Sequence, residues 1–327
     1  MTVTLALAGD TMLGRGVADL LATSSDPDMY ISDGVRGYLS EADAILLNLE
    51  CCISDRGSPW CAPGKIFHFR APPQGVDLLA ELGVTCVTMA NNHALDYGYD
   101  ALLDTRAHLE HMEIGTAGAG ATLDQAREPA ILAVRGMRIA VISVTDHPED
   151  YAATSDQPGV AYVDLQSGVP GWLTDTVARM REETDAVLVS PHWGPNMTAA
   201  PQPYIRAAAT ILADAGATLI AGHSAHIAHG VAPPVLYDMG DFLDDYLVDP
   251  ELRNDLSLLF LVTIDELGPV RLRAVPLKLD YCRTVLAEGW ERAWLSQRFI
   301  DACEAFGTAA TTEDGLLIVD LRSRKGG

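Results

Sequence analysis

The 327-residue sequence predicts an α/β protein in which mixed sheets are covered by helices. Three observations support this fold class. Short apolar runs with β-branched residues alternate with amphipathic helical segments through the first two-thirds of the chain. The last third holds two long strand-like runs separated by residues 265–269, which is the pattern of an antiparallel hairpin. Hydrophobic residues make up 48% of the sequence, so a sizeable core is expected.

Each element is predicted from its own apolar pattern. Helical periodicity predicts helices ending near Leu21 and spanning residues 34–40, 75–82, 101–111, 123–126, 172–183, 203–215 and 290–306. The glycine-rich residues 115–120 lack the G-x-G-x-x-G order and are predicted to be a plain turn. Residues 51–73 have no helical period and form a long loop, a type of segment that often carries function. Strands are predicted at residues 3–8, 44–50, 84–89, 138–145, 186–190, 217–221, 235–239, 256–264, 270–279 and 315–321, the last at a sheet edge.

The organisation of the chain predicts one domain. No linker or internal repeat divides it, so we expect a single unit over residues 1–327, with the hairpin, helix and edge strand of about 256–321 packed on the core. The N-terminus predicts a strand and not a signal peptide, and no apolar run approaches the roughly 18 residues of a membrane span. The six cysteines show no C-x-x-C spacing, which favours a reduced, cytoplasmic protein.

The net charge of −23 restricts the possible partners. Nucleic acids and anionic membranes are bound by clustered lysine and arginine, so neither is expected to be a partner. The same charge disfavours a long polyanionic substrate. The oligomeric state is left open by the sequence.

Ligand-type side chains follow several predicted strands. His223 and His226 share the loop after residues 217–221, so both imidazoles can converge on one ion. The carboxyl ends of strands in an α/β sheet open into one crevice, where side chains distant in sequence can meet. Carboxylate, amide and imidazole groups together suit a divalent ion such as zinc, manganese or iron, and a carboxylate can bridge two ions about 3.5–4 Å apart. The other strand-end residues are Asp10, Glu50, Asn92, His93 and His192.

Seven segments in chain order resemble the CapA/PgsA family, which is linked to capsule and poly-γ-glutamate synthesis within the calcineurin-like metallophosphoesterase superfamily. The resemblance covers nearly the whole chain and implies a four-layer α/β/β/α sandwich of two mixed sheets flanked by helices, with a metal site at one edge. The segments are 9–15 (GDTMLGR), 48–50 (NLE), 67–72 (FHFRAP), 90–98 (ANNHALDYG), 192–194 (HWG), 222–226 (GHSAH) and 240–242 (GDF).

The resemblance also implies a ligand set. Asp10, Glu50 and His226 would hold one metal ion, and Glu50, Asn92, His192 and His223 would hold the second. Met12 departs from the superfamily pattern because it stands where a ligand histidine is usual, so we expect the first ion to be weakly held or absent. Asp241 departs as well, because the family usually has asparagine there. The expected cofactor is one or two divalent ions: manganese, zinc, iron or calcium.

Roles for the remaining motif residues also follow from the resemblance. His93 would be the non-ligating histidine that acts on the substrate, assisted by Asp96, with His192 and Asp10 as further catalytic groups. The predicted substrate-binding residues are Arg15, Arg70, Asn91 and Trp193.

Three functions remain open. The CapA-like branch resembles enzymes that act on peptide backbones, and the degraded first metal site favours a soluble peptide epimerase, with a ribosomal-peptide precursor (such as that of a lasso peptide) or a poly-γ-glutamate-like chain as substrate. Such an enzyme needs a base for the Cα proton, an electrophile for the enolate oxygen and an acid on the opposite face. The alternative is a metal-dependent phosphoesterase or amide hydrolase. A non-catalytic scaffold in capsule-polymer assembly is the third hypothesis.

Overall fold

The computed structural model describes residues 2–322, which form twenty strands and eight α-helices. The helices are α1 (Arg15–Leu21), α2 (Asp33–Leu39), α3 (Gln74–Glu81), α4 (Gly98–His111), α5 (Leu123–Arg127), α6 (Gly171–Glu183), α7 (Pro203–Asp214) and α8 (Gly289–Glu304). The strands are β1 (Thr2–Thr11), β2 (Ala44–Leu49), β3 (Cys52–Ile53), β4 (Arg70–Ala71), β5 (Val84–Thr88), β6 (Gly115–Ala117), β7 (Ala119–Gly120), β8 (Ala130–Val134), β9 (Met137–Thr145), β10 (Gly159–Val160), β11 (Ala186–His192), β12 (Leu219–Ala221), β13 (Val231–Ala232), β14 (Val235–Leu236), β15 (Asp241–Leu243), β16 (Leu256–Asp265), β17 (Gly268–Asp280), β18 (Arg283–Leu286), β19 (Ala310–Glu313) and β20 (Leu316–Asp320).

Two large sheets carry most of the strands. The ten-stranded sheet runs in the order β19-β20-β17-β16-β1-β2-β5-β6, with β15 also paired to β1 and β18 to β17. The six-stranded sheet runs in the order β13-β14-β12-β11-β9-β8. Both sheets are mixed, because parallel pairs such as β1 with β2 and β9 with β11 adjoin antiparallel pairs such as β1 with β16 and β8 with β9.

Three hydrophobic clusters show how the layers stack. Leu5 of β1 and Val141 of β9 belong to one cluster, so facing sides of the two sheets share a core. The next residues along these strands, Ala6 and Ile142, point the other way, as strand geometry requires. Ala6 joins a cluster with side chains of α1–α4, and Ile142 joins one with side chains of α6 and α7. This order of helices, sheet, sheet and helices confirms the predicted four-layer sandwich.

Two local predictions were wrong. The predicted turn at residues 115–120 forms β6 and β7, and β6 extends the larger sheet beside β5 through its pairing with residues 86–88. The strand β20 is not at the edge, because it lies between β17 and β19. Short strands such as β13 and β15 were not predicted, since two or three residues have too little period to detect. No helix within residues 2–322 is long and apolar enough to cross a membrane.

Candidate metal centre and active site

The larger sheet contributes two buried carboxylates. Asp10 lies at the carboxyl end of β1, and Glu50 follows β2 directly; both are essentially inaccessible to solvent. The parallel register pairs Asp10 with Asn48, whose Nδ2 donates to Asp10 Oδ1 at 2.7 Å. The side chain of Glu50 is held by Tyr246, whose hydroxyl donates to Oε2 at 3.0 Å. Neighbouring parallel strands therefore deliver both acids to one edge, as predicted.

The smaller sheet contributes two histidines to the same place. His192 ends β11, and an isolated parallel bridge pairs it with His223 in the loop after β12. Their Nδ1 atoms lie 2.8 Å apart, and His223 Nδ1 lies 3.6 Å from Asp10 Oδ1. Asp10, His192 and His223 thus present one ligand atom each within 4.8 Å of one another. The two sheets meet at this cluster.

Three buried polar atoms of predicted ligand residues fit a metal ion. Glu50 Oε1, Asn92 Oδ1 and His192 Nε2 have no hydrogen-bond partner among the described residues. Glu50 Oε1 and His192 Nε2 lie 3.8 Å apart. Buried polar atoms are rarely left unpaired, and each of these three is a good ligand for a divalent ion. They belong to the set that the sequence predicts for the second ion.

A second group of possible ligands includes one residue outside the predicted set. His226 Nδ1 lies 3.4 Å from Asp10 Oδ2 and 2.7 Å from Asp241 Oδ1, and the three side chains again offer ligand atoms within 4.8 Å. Met12 is fully buried in the core, and its sulfur accepts the backbone N–H of Gly14 at 2.9 Å. The donor atoms of Asp and His at these two groups suit divalent ions.

The electrostatics of the cluster also favour a cation. Burial raises the pKa of Asp10 and raises that of Glu50 well above its usual range, with the charge of Asp10 adding to the effect on Glu50. Burial and the neighbouring Asp244 likewise raise the pKa of Asp241. Burial lowers the pKa of His192, which keeps its imidazole neutral as a metal ligand requires. A bound divalent cation would stabilise the ionised carboxylates that burial destabilises.

His93 and Asp96 form a second buried unit beside the metal ligands. His93 Nδ1 lies 2.6 Å from Asp96 Oδ2. Although burial raises the pKa of Asp96, the hydrogen bond from His93 and the charges of His93 and Lys65 bring it below its usual range. Burial lowers the pKa of His93 to about 4, against the opposing effect of Asp96. An ionised Asp96 accepts the Nδ1 proton, so the Nε2 atom of a neutral His93 is a proton acceptor.

An aromatic wall joins this pair to the metal ligands and to the surface. The ring of Phe69 stacks on His93 with centroids 4.1 Å apart, and it lies 5.7 Å from Tyr246, whose ring is 5.3 Å from His226. The Arg15 guanidinium lies 5.0 Å from the centroid of Phe69. The outermost ring is Phe67, 54% exposed and stacked on Phe69. We call Phe67, Phe69, Tyr246 and Arg15 the aromatic wall; it places the predicted residue Arg15 at the mouth of the site.

The other predicted substrate-binding residues lie elsewhere. Asn91 is fully buried, and its Nδ2 donates to Asn48 Oδ1 and to the carbonyl of Leu49. Trp193 is buried, and its indole N–H donates to the carbonyl of Tyr237. Arg70 lies over the ring of Tyr97 at 4.2 Å. Asn91 and Trp193 use these hydrogen bonds to position neighbouring residues, and substrate binding by the three residues stays a prediction.

Several residues of the site were not predicted from the sequence, because they lie on loops. Lys65 comes from the long loop, where Nζ lies 2.7 Å from Asp96 Oδ1, and the Tyr151 hydroxyl donates to the same oxygen at 2.9 Å. Tyr246 follows β15 and reaches Glu50. Neither tyrosine stands in a motif, so only the length of the loop at residues 51–73 signalled a functional contribution. His147 has its ring 5.2 Å from that of His192.

Known proteins resemble this chain along most of its length. The family model described as bacterial capsule synthesis protein PGA_cap matches residues 4–246. A probable polyglutamine synthesis accessory protein of Mycobacterium tuberculosis is 32% identical over 97% of this chain and 96% of its own length. The capsule biosynthesis protein CapA of Bacillus anthracis is 27% identical, covering 85% of this chain and 68% of that protein.

The PGA biosynthesis protein CapA of Bacillus subtilis is 26% identical over 88% of this chain and 78% of that protein. The matched residues 4–246 include every strand-end ligand, the His93–Asp96 pair and the aromatic wall. The resemblance to the CapA/PgsA family is therefore confirmed. The chain belongs to the bacterial capsule synthesis protein family that this PGA_cap model describes.

Proposed function

We propose that this chain is an enzyme that acts on a peptide backbone, and that its reaction is epimerisation at Cα. The observation that carries the proposal is the buried His93–Asp96 pair, aligned at 2.6 Å and set beside a cluster of metal-ligand side chains. A histidine held in one tautomer by a buried carboxylate is a typical general base. The aromatic wall leads from the surface to this base.

In the proposed reaction His93 Nε2 removes the Cα proton. Asp96 holds the ring in place and stabilises the imidazolium that forms, while Lys65 and Tyr151 keep Asp96 ionised and fixed. A divalent ion bound by the cluster would polarise the adjacent substrate carbonyl. A different proton, drawn from water on the side where Asp10 and His192 lie, is delivered to the opposite face of Cα. His93 then releases the proton that it took to water, and the peptide bond remains intact.

Two observations bear on the substrate class: the names of the relatives and the net charge of the chain. Two relatives are named for the synthesis of polyglutamine and of PGA, which supports a glutamyl- or glutaminyl-type polymer as the substrate. The net charge of −23 favours a neutral or basic peptide, such as a ribosomal precursor, over a long polyanion. All six cysteines are free thiols, which is compatible with the reducing cytoplasm where we propose that the enzyme works.

Deuterium incorporation tests the proposal. The purified protein is incubated in heavy water with glutamyl and glutaminyl peptides and with any peptide precursor encoded beside it, and the products are analysed by mass and by chirality. We expect a gain of one deuteron per epimerised residue, a D-residue, and no cleavage. Products that show no deuterium at Cα on any of these substrates would overturn the proposal.

A second candidate is metal-dependent hydrolysis of an amide or phosphate ester. It is favoured by the unpartnered atoms of Glu50, Asn92 and His192, which match a metallophosphoesterase ligand set. The same incubation separates the two reactions, since a hydrolase releases phosphate or a shorter peptide. The word accessory in a relative's name supports a third candidate, a scaffold in polymer assembly, which would show neither outcome.

A further inference from the structure

We infer that Asp241 supplies the metal ligand that residue 12 lacks, so that Asp10, His226 and Asp241 form an oxygen-rich site for a manganese-type ion beside a nitrogen-rich site at His192 and His223. The first site is thus rebuilt with a different residue and is not lost. This inference rests on the ligand geometry and holds for an epimerase and for a hydrolase alike.

Met12 is excluded as the ligand by its own contacts. Its side chain is fully buried within the hydrophobic core, and the sulfur is already the acceptor for the Gly14 N–H at 2.9 Å. A thioether is also a soft ligand, poorly suited to an ion held mainly by carboxylates. Besides Asp10, Glu50 and His226, a further protein group must therefore come from another strand if the site is to hold an ion tightly.

The strand β15 brings Asp241 to that position. The Cα atoms of Asp10 and Asp241 are register partners in the parallel pairing of β1 with β15. The two strands approach closely, because Asp10 N donates to Gly240 O at 2.9 Å and a Cβ on Gly9 would lie only 1.7 Å from that oxygen. Residue 9 must be glycine for this pairing, and the pairing sets the two carboxylates side by side.

Unpartnered oxygens point to a missing cation. The Oδ2 atoms of Asp241 and Asp244 are buried and accept no hydrogen bond from the described residues. Glu50 Oε1 is also buried and also has no hydrogen-bond partner among these residues. The side chains of Asp241 and Asp244 are 0% and 6% exposed. Neighbouring buried carboxylates repel one another unless a cation or a proton lies between them, and an ion held by Asp10, His226 and Asp241 would stabilise the negative charge there.

The two sites differ in their proportion of oxygen to nitrogen ligand atoms. Asp10 and Asp241 with a single histidine make an oxygen-rich set, which Mn²⁺ accepts well. The other set has two histidine nitrogens, from His192 and His223, beside the oxygens of Glu50 and Asn92, and this larger share of nitrogen suits Zn²⁺. We therefore assign Mn²⁺ to the Asp241 site and Zn²⁺ to the other.

The competing role for Asp241 is to orient His226 through their 2.7 Å contact without touching the ion. Asparagine could perform that role, because its carbonyl oxygen still accepts the His226 N–H. An amide oxygen can also coordinate a metal ion, as that of Asn92 would, but it carries no charge, so replacing a ligand carboxylate by asparagine weakens the site strongly. Asp241→Asn therefore discriminates between the two roles with almost no change in shape.

The experiment measures metal binding and not activity. Metal-stripped protein is loaded with one equivalent of Zn²⁺ and titrated with Mn²⁺, followed by calorimetry and by metal analysis after gel filtration. We expect the wild-type protein to retain one manganese and Asp241→Asn to bind it about 1,000-fold more weakly or worse, beyond the roughly 10–100-fold cost of losing an outer partner. Asp245→Asn is the matched control, because that carboxylate pairs with Arg15 and belongs to neither ligand group.

Two results would overturn the inference: a weakening of about 100-fold or less in Asp241→Asn, or an equal loss in Asp245→Asn. A spectroscopic measurement on the wild-type protein covers the case in which Asp241→Asn does not fold. Electron spin-echo modulation of the bound Mn²⁺ should show one directly coordinated histidine nitrogen. Two or more coordinated nitrogens would place manganese at His192 and His223 and would also overturn the inference.

Discussion

The Nδ1 atom of His93 lies 2.6 Å from Oδ2 of Asp96, and both side chains are buried. Asp96 is fixed by further donors: the backbone N–H of Phe69 at 2.6 Å, Lys65 at 2.7 Å and the Tyr151 hydroxyl at 2.9 Å. These groups come from two separate segments, since Lys65 and Phe69 share the long loop that precedes β4 and Tyr151 lies elsewhere in the chain. The orientation of the His93 ring is therefore set by the tertiary structure and not by the short motif in which both residues stand.

Replacement of His93 by glutamine should remove the proton acceptor and leave the fold intact. We expect turnover to fall about 10²–10⁴-fold, the usual contribution of general acid–base catalysis. Deuterium incorporation measures the rate, and thermal melting measures the fold. A fully active variant would contradict the assigned role. His111→Gln, an exposed change on α4, is the control.

Metal ions should stabilise the protein through the buried cluster. A ligand present at 100 times its dissociation constant adds about 2.7 kcal/mol to the free energy of unfolding, so Zn²⁺ should raise the melting temperature of chelator-treated protein. His192→Ala should lose most of this rise, because His192 is fully buried at the centre of the ligand set. His111→Ala should keep it. Equal metal-induced shifts in both variants would argue against the site.

His229 should make the protein less stable in acid. It is 4% exposed, its Nε2 lies 2.7 Å from the carbonyl of Thr198, and burial lowers its pKa to about 4. As the pH falls below about 6.5, the unfolded chain takes up a proton that the folded protein does not accept until about pH 4, so the free energy of unfolding falls across this window. The contribution of this one group is about 3 kcal/mol at most.

His229→Gln keeps a donor for Thr198 but cannot titrate. The free energy of unfolding of the variant, measured with denaturant, should therefore fall less than that of the wild-type protein between about pH 6.5 and pH 4. At pH 7.5 and above, His229 is neutral in both states and this slope should be absent. His111→Gln is the exposed control, whose pH profile should follow the wild-type curve. Parallel profiles for His229→Gln and the wild-type protein would show that His229 is not the source.

The aromatic wall should bind substrate without taking part in the chemistry. Phe67 is half exposed and stacks on Phe69, with the Arg15 guanidinium 5.9 Å from its ring. Phe67→Ala should raise KM by about tenfold, a loss of about 1.4 kcal/mol of binding, with little change in kcat. Leu267→Ala, 87% exposed in the hairpin turn, is the control. A lower kcat with an unchanged KM would place Phe67 outside the binding surface.

The sequence predicts some elements of the fold and some residues of the site more completely than others. Long periodic segments such as α6, α7 and the β16–β17 hairpin were predicted nearly to their ends, because each carries a full apolar period. The short strand β15 was not, since three residues have too little pattern to recognise. The ligands Asp10, Glu50 and His192 could be proposed because each stands at the end of a strongly apolar strand.

Sequence by itself determined which side chains stand at the strand ends and which family they resemble, since these depend only on local apolar pattern and on residue order. The tertiary structure alone decided which of them meet. Asp241 reaches Asp10 through a parallel register that no local pattern encodes, and Lys65, Tyr151 and Tyr246 arrive on loops whose paths depend on packing. Local propensities fix the elements, whereas the contacts between distant elements depend on how whole sheets pair and pack.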